Sequence, residues 1–198
     1  ILSGVFEGKT TGTPISLMVH NKDQRSKDYS EIAQYYRPGH ADLNYDIKYG
    51  FRDYRGGGRS SGRETVGRVA AGAVASKLLK ELGISICAYT SAIGPVTINP
   101  NNFNKEEIQK NPLYMPDAQA AEKAQNYLEQ CMKECNSSGG MVECIISGVP
   151  AGIGEPAFEK LDAALAKAIF SIGAVKGFEI GDGMNVANST GLQNNDGY

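Results

Sequence analysis

Helices layered on a sheet, in an α/β or α+β arrangement, are what this sequence predicts, and three observations carry the reading. A helical pattern is followed by a β-prone run three times along the 198 residues. Each helical pattern has its own start or stop signal. No apolar run approaches the roughly 18 residues that a membrane-spanning helix requires. Alternation of this kind packs helices against a sheet around a shared core.

Taken in order, Thr13 to His20 is β-prone, bounded by Pro14 and the polar Asn21-Lys22-Asp23 turn, and predicts a strand. Asp23 to Gly58 is polar and without clear periodicity, which predicts a long functional loop. Tyr36, Tyr45, Tyr49 and Tyr54 favour order within it. Ser61 and Glu64 have the spacing of a capping box, so a helix is expected to open at Ser61. Val66, Val69, Ala70, Ala73, Val74 and Leu78 then recur at helical spacing, and Gly83 suits the stop. Ile84 to Ser91 reads as the following strand. A second helix is expected after Pro116-Asp117, running to about Cys135, with Met141 to Ser147 as its strand. A third opens at Pro156, carries Phe158, Leu161, Leu165, Ile169 and Phe170, and precedes a strand over Val175 to Ile180. Neither a domain boundary nor a repeat is evident, so residues 1–198 read as one domain.

With 41% hydrophobic and 21% charged residues the composition is that of an ordinary globular chain. A formal net charge of -2 argues against wholesale binding to nucleic acid or an anionic membrane. Cys87, Cys131, Cys135 and Cys144 show no paired metal spacing, and read as reduced, mostly buried thiols of a cytosolic protein. The chain opens on Ile1 and stops at Asn194-Asn195-Asp196-Gly197-Tyr198 without a closing element, which reads as the central portion of something longer.

The chemistry concentrates between Arg37 and Arg68. Gly56-Gly57-Gly58 allows close backbone approach to a ligand, and the helix start at Ser61 offers free N–H groups with the positive end of the helix dipole. Within the 21 residues 48–68, Lys48, Arg52, Arg55, Arg59, Arg63 and Arg68 face only Asp53 and Glu64. Such a segment suits a phosphate or carboxylate, although the Walker spacing is absent. A flexible glycine turn with a solvated basic helix end is the plain alternative, and an RGG-like RNA segment is a third. His40 follows Arg37-Pro38-Gly39 and precedes Asp42, and its imidazole suits proton transfer near neutral pH. A hydrogen-bonded structural histidine fits the same spacing.

These residues resemble the chorismate synthase family. The runs that carry the resemblance are Gly4 to Ile15, Asn21 to Tyr29, Arg37 to Asp42, Lys48 to Tyr54 and Arg55 to Ala71. Ser147 to Pro150, Gly152 to Pro156 and Ala174 to Gly183 continue it. Gly62 stands where alanine is commoner. The resemblance implies an α+β fold of the layered β-α-β sandwich type, and a tetramer. It implies elimination of phosphate from 5-enolpyruvylshikimate-3-phosphate to give chorismate, with reduced FMN required. Some members reduce the flavin with NADPH, and others depend on a separate reductase. By position, His40 resembles the histidine that protonates or polarises the reduced flavin. Arg59, Ser60 and Ser61 resemble a flavin-binding triplet, with Gly173 and Ala174 at the same cofactor. Arg37, Arg63 and Arg68 resemble substrate-anion contacts. The family's Gly-Glu-Ser-His element would precede Ile1, and its Arg-His-Asp element would follow Tyr198. The alternative this leaves is an incomplete phosphoanion-binding or assembly core.

Overall fold

The computed structural model describes residues 1–22, 29, 31–56 and 58–197. Residues 23–28 of the predicted loop, with the family-like run they carry, lie outside the described residues. So do Ser30, Gly57 of the triple glycine and Tyr198. The chain divides into two compact units, residues 1–75 with 152–198 and residues 76–151, although the sequence shows no boundary.

The first unit opens with a hairpin, β1 (Val5–Phe6) against β2 (Lys9–Thr10). Glu7 and Gly8 turn it with φ of 45° and 78°, the positive angles a tight hairpin demands of both central residues. The strand expected over Thr13–His20 does not form. Ser16 makes a single bridge to Ser3, while Leu17, Met18 and Val19 are 38%, 52% and 67% exposed. β-prone residues become a strand only where a neighbouring backbone offers partners, and Pro14 removes a donor from this run.

The polar loop contains a helix the sequence reading lacks, α1 (Asp42–Tyr49). Tyr45 and Tyr49 pack edge-on at 5.2 Å, one turn apart, and Gly50 closes the helix in the left-handed region at φ 78°. α2 (Val66–Glu81) begins later than expected, after a 3-10 turn over Gly62–Thr65. Ser61 Oγ accepts from the Arg63 N–H at 3.3 Å, but the Glu64 side chain turns to Arg68. The reciprocal half of the capping box is therefore not made.

α4 (Leu161–Phe170) is also shorter than expected. Residues Ala157–Glu159 form a separate 3-10 turn, Lys160 is extended at ψ 150°, and Phe158 is 92% exposed. Gly154 sits at φ +96°, where a Cβ would lie 2.8 Å from the Leu161 nitrogen. The strand expected over Val175–Ile180 is absent, its run interrupted by Gly177.

The second unit holds an antiparallel sheet, β3 (Ser85–Ile93) flanked by β4 (Val96–Thr97) and β5 (Gly140–Ser147). Of the two fold arrangements, the α+β one is realised. The β3–β5 register slips between Thr90 and Ala92, leaving Ser91 as a bulge. α3 (Ala118–Lys133) lays Ala120, Ala121 and Ala124 on Met115, with Ile93, Val96, Ile98 and Leu113 around them. All four cysteines are free thiols, but only Cys131 is buried, which corrects the expectation of mostly buried ones.

Asp117 starts α3 and is 3% exposed. Burial pushes its carboxyl up, and the Asn99, Ala120 and Gln119 N–H groups outweigh that and hold it below the ordinary value. Asp117→Ala removes the cap and strands a buried donor, so a loss of about 2 kcal/mol is expected. The check is a lower urea midpoint at unchanged slope.

Candidate active site

The site begins with a carboxylate. Asp42, at the first turn of α1, is 1% exposed. An ion taken this far from water costs several kcal/mol unless its oxygens are fully used. Here they are. Arg37 Nε donates to Oδ2 at 2.8 Å, Arg37 Nη2 donates to Oδ1 at 2.9 Å, and the Arg37 backbone N–H reaches Oδ2 at 3.2 Å. His40 Nδ1 lies 2.9 Å from Oδ1, and Arg52 Nη1 lies 3.0 Å from the same oxygen. The Arg37 guanidinium, opposed by burial and helped by its own backbone N–H and by Arg52, holds the Asp42 carboxyl far below the usual carboxylate range. Arg37 is raised in turn, chiefly by its bond to Asp42.

Arg52 braces this group from the far side. Its Nε is 3.2 Å from Asp46 Oδ2, and its Nη2 donates to the carbonyls of Ile32 and Tyr35 at 2.7 and 2.8 Å. Its Nη1 contact with Asp42 is an ion pair whose angle is poor for a hydrogen bond. The Tyr36 ring covers the guanidinium at 5.1 Å. Neither the buried carboxylate nor this brace is assigned a role by the sequence reading. The available signal is Asp42 itself, two residues after His40, and the Asp42–Asp46 spacing that puts two carboxylates on one helix face.

A second group forms where α2 starts. Arg68 is not a free cation. Nη1 pairs with Glu64, Nε donates to Ser171 Oγ at 2.9 Å, and Nη2 donates to the Ser171 carbonyl at 2.7 Å. It thereby fixes the end of α4, two residues before Gly173. Ala174, next in line, holds φ +70°, a left-handed angle that a non-glycine residue keeps only when its surroundings impose it. The structure thus gathers Arg37 and His40 around Asp42, and Arg68 with the Gly173–Ala174 turn.

Arg59, Ser60, Ser61 and Arg63 lie on the two 3-10 turns that precede α2. Arg59 and Arg63 are exposed, and among the described residues neither guanidinium has a carboxylate within ion-pair reach. Arg52, Arg55 and Arg68 have such partners in Asp42 and Asp46, Asp53 and Glu64. The surplus positive charge counted in the sequence therefore narrows to Arg59 and Arg63, with Lys48 over the Tyr49 ring. Two uncompensated guanidiniums beside hydroxyls at a helix start are a donor set for a phosphate or carboxylate.

Comparison with known proteins gives the family. The family model for chorismate synthase matches residues 1–198. A chorismate synthase of Agathobacter rectalis is 69% identical over 198 residues, covering all of this chain and 54% of that relative. One from Lachnoclostridium phytofermentans is also 69% identical with the same coverage, and one from Novosphingobium aromaticivorans is 57% identical over 196 residues. A solved structure, described as the crystal structure of chorismate synthase, superposes with a TM-score of 0.81 at 34% identity. It covers 98% of this chain, and this chain covers 57% of it. The chain spans about half the length of the curated relatives it matches.

Removing Asp42 leaves two guanidiniums without their common counter-ion, and Asp42→Ala is expected to cost about 3–5 kcal/mol. Because the folded carboxyl titrates below its unfolded value of about 3.9, its contribution is complete above that pH and is lost as pH falls beneath it. Urea stability of the wild type should therefore fall progressively as pH drops below about 4, and more steeply than that of Asp42→Asn. Parallel slopes for the two proteins would contradict this account of the cluster.

Proposed function

We propose, from the premise that the chain belongs to the chorismate synthase family, that it carries the flavin- and phosphate-handling part of a lyase. The reaction is the anti-1,4 elimination of phosphate from 5-enolpyruvylshikimate-3-phosphate to chorismate, in the shikimate route to aromatic amino acids. The single observation that carries this reading is the pair of exposed guanidiniums, Arg59 and Arg63, without carboxylate partners among the described residues and beside Ser60 and Ser61.

That donor set fits the phosphate of a flavin mononucleotide. Arg59, Ser60 and Ser61 would hold reduced FMN, with the Gly173–Ala174 turn at the same cofactor. When bound, the flavin supplies transient electron donation to the substrate and acceptance of its C6 hydrogen. His40 holds or delivers a proton at its Nε2, the ring nitrogen turned away from Asp42. Arg63 binds a substrate anion directly, and Arg37 does so with the Nη1 that its pairing to Asp42 leaves over. Arg68, with every nitrogen engaged, serves the site by holding the Gly173–Ala174 turn in place. The whole protein is read as a cytoplasmic homotetramer, its flavin reduced by NADPH or by a separate reductase. A second reading, a phosphoanion-binding or assembly core without turnover, draws on the chain's coverage of 54% of its relatives.

Anaerobic turnover of 5-enolpyruvylshikimate-3-phosphate with chemically reduced FMN, followed by chorismate absorbance, separates the two. Chorismate formation supports the lyase. Absence of product, with FMN affinity unaltered by substrate, favours the assembly core. In an active protein, His40→Ala should lower turnover by about 10²–10⁴-fold with flavin affinity nearly intact. The Arg59→Ala and Arg63→Ala pair should instead weaken flavin and substrate binding, most visibly at low salt.

A further inference from the structure

We propose that Glu64 and Ser171, acting through Arg68, are positioning residues that tie two separate cofactor-holding segments, Arg59–Ser61 and Gly173–Ala174, into one receptor. The inference rests on the reading of both segments as flavin contacts.

Three observations lead to it. Arg68 reaches a residue 103 positions away, donating from Nε to Ser171 Oγ at 2.9 Å and from Nη2 to the Ser171 carbonyl at 2.7 Å. Two bonds from one planar fork to one residue fix orientation as well as distance. The third nitrogen, Nη1, pairs with Glu64 one helical turn earlier. That carboxylate is the one the capping-box spacing would turn back onto Ser61, and it is given to Arg68 instead.

Both ends of this staple are themselves held. The Glu64 backbone N–H donates to the Ser61 carbonyl at 3.1 Å, inside the turn whose Ser61 Oγ accepts from the Arg63 N–H. Ser171 caps α4, and both its N–H and its hydroxyl donate to the Ala168 carbonyl, which leaves the lone pairs of Oγ for Arg68. A cation at the carbonyl end of a helix is favoured by the helix dipole as well. Two residues beyond Gly173's neighbour Ile172, Ala174 holds φ +70°, and the Val175 N–H closes the turn on the Ile172 carbonyl at 3.4 Å. A side chain keeps that angle only under constraint, and the grip of Arg68 on Ser171 supplies one. From Ser61 through Glu64, Arg68 and Ser171 to Ala174, the path is a run of hydrogen bonds and short covalent steps.

The test is FMN titration of the full-length protein, joined to amide hydrogen exchange at residues 172–175 recorded without ligand. Ser171→Ala removes the Oγ acceptor, and Arg68→Lys keeps the charge but loses the fork. Both should weaken FMN binding by about tenfold, the weight of one hydrogen bond to a charged group. Exchange at residues 172–175 should quicken in both, while the substrate KM at saturating flavin holds. Ser171→Thr, which restores the hydroxyl, should bind FMN as the wild type does. Unchanged FMN affinity in Ser171→Ala or in Arg68→Lys overturns the proposal, and so does weaker binding with exchange at 172–175 unmoved. A substrate KM that rises in Arg68→Ala while FMN affinity holds would also overturn it, because Arg68 would then touch the substrate itself. Arg59→Ala tests the premise separately. FMN affinity untouched there refutes the flavin reading and the positioning role with it, whereas affinity lost in Arg59→Ala alone refutes only the staple.

Discussion

The geometry around His40 depends on one buried carboxylate. Asp42 receives two guanidiniums, a backbone N–H and an imidazole on two oxygens. Its ionisation is secured by Arg37 against the cost of burial. With the charge in place, the Pro38-Gly39 turn, the first turn of α1 and the loop carrying Arg52 share one anchor. Without it, cations drawn together by that anchor would repel, and none of the three segments has a buried apolar side chain to keep it in position.

Arginine accordingly does two kinds of work in this chain. Arg52 and Arg68 are structural staples, each joining segments far apart in sequence through main-chain carbonyls as well as carboxylates. The planar fork of a guanidinium suits this, since several donors leave one rigid group in fixed directions. Arg59 and Arg63 have no carboxylate partner among the described residues. Counting charges along the sequence cannot separate the two kinds, because the partners that neutralise Arg52 lie several residues upstream on a helix that the count does not see.

What was legible in the sequence was whatever local rules decide. α2, α3, β3 and β5 appear near their predicted places because apolar spacing, the Asp117 cap and the Gly83 stop act over a few residues. α1 was illegible. Its residues Asp-Leu-Asn-Tyr-Asp-Ile-Lys-Tyr carry no clear apolar stripe, and its Asp42 and Asp46 make their bonds to an arginine beyond its end. The runs at Thr13–His20 and Val175–Ile180 were β-prone and remained unpaired, since strand formation is settled by a neighbour rather than by propensity. At the site, His40 and the Arg59–Ser61 segment stood out through motif and family likeness. That Asp42 gathers Arg37, His40 and Arg52 is a three-dimensional fact. So is the engagement of Arg68, whose partner Ser171 is 103 residues away.

The two units are held by different forces, and this bears on how the site works. Every buried apolar side chain among the described residues, from Tyr89 to Cys131, belongs to residues 76–151. The unit that carries the site has Asp42 as its buried side chain, and its geometry rests on ion pairs and hydrogen bonds. Directional contacts fix angles well but contribute modestly to net stability, so such a unit has little reserve of its own. Arg59 and Arg63, exposed on the turns before α2, have no carboxylate partner among the described residues. An anion that binds there adds charge-assisted bonds. Ligand binding and ordering of the site are then one thermodynamic event, because whatever binds only the ordered form stabilises it in proportion to its affinity. A phosphate group held by these residues would accordingly add to the stability of the unit that also carries His40.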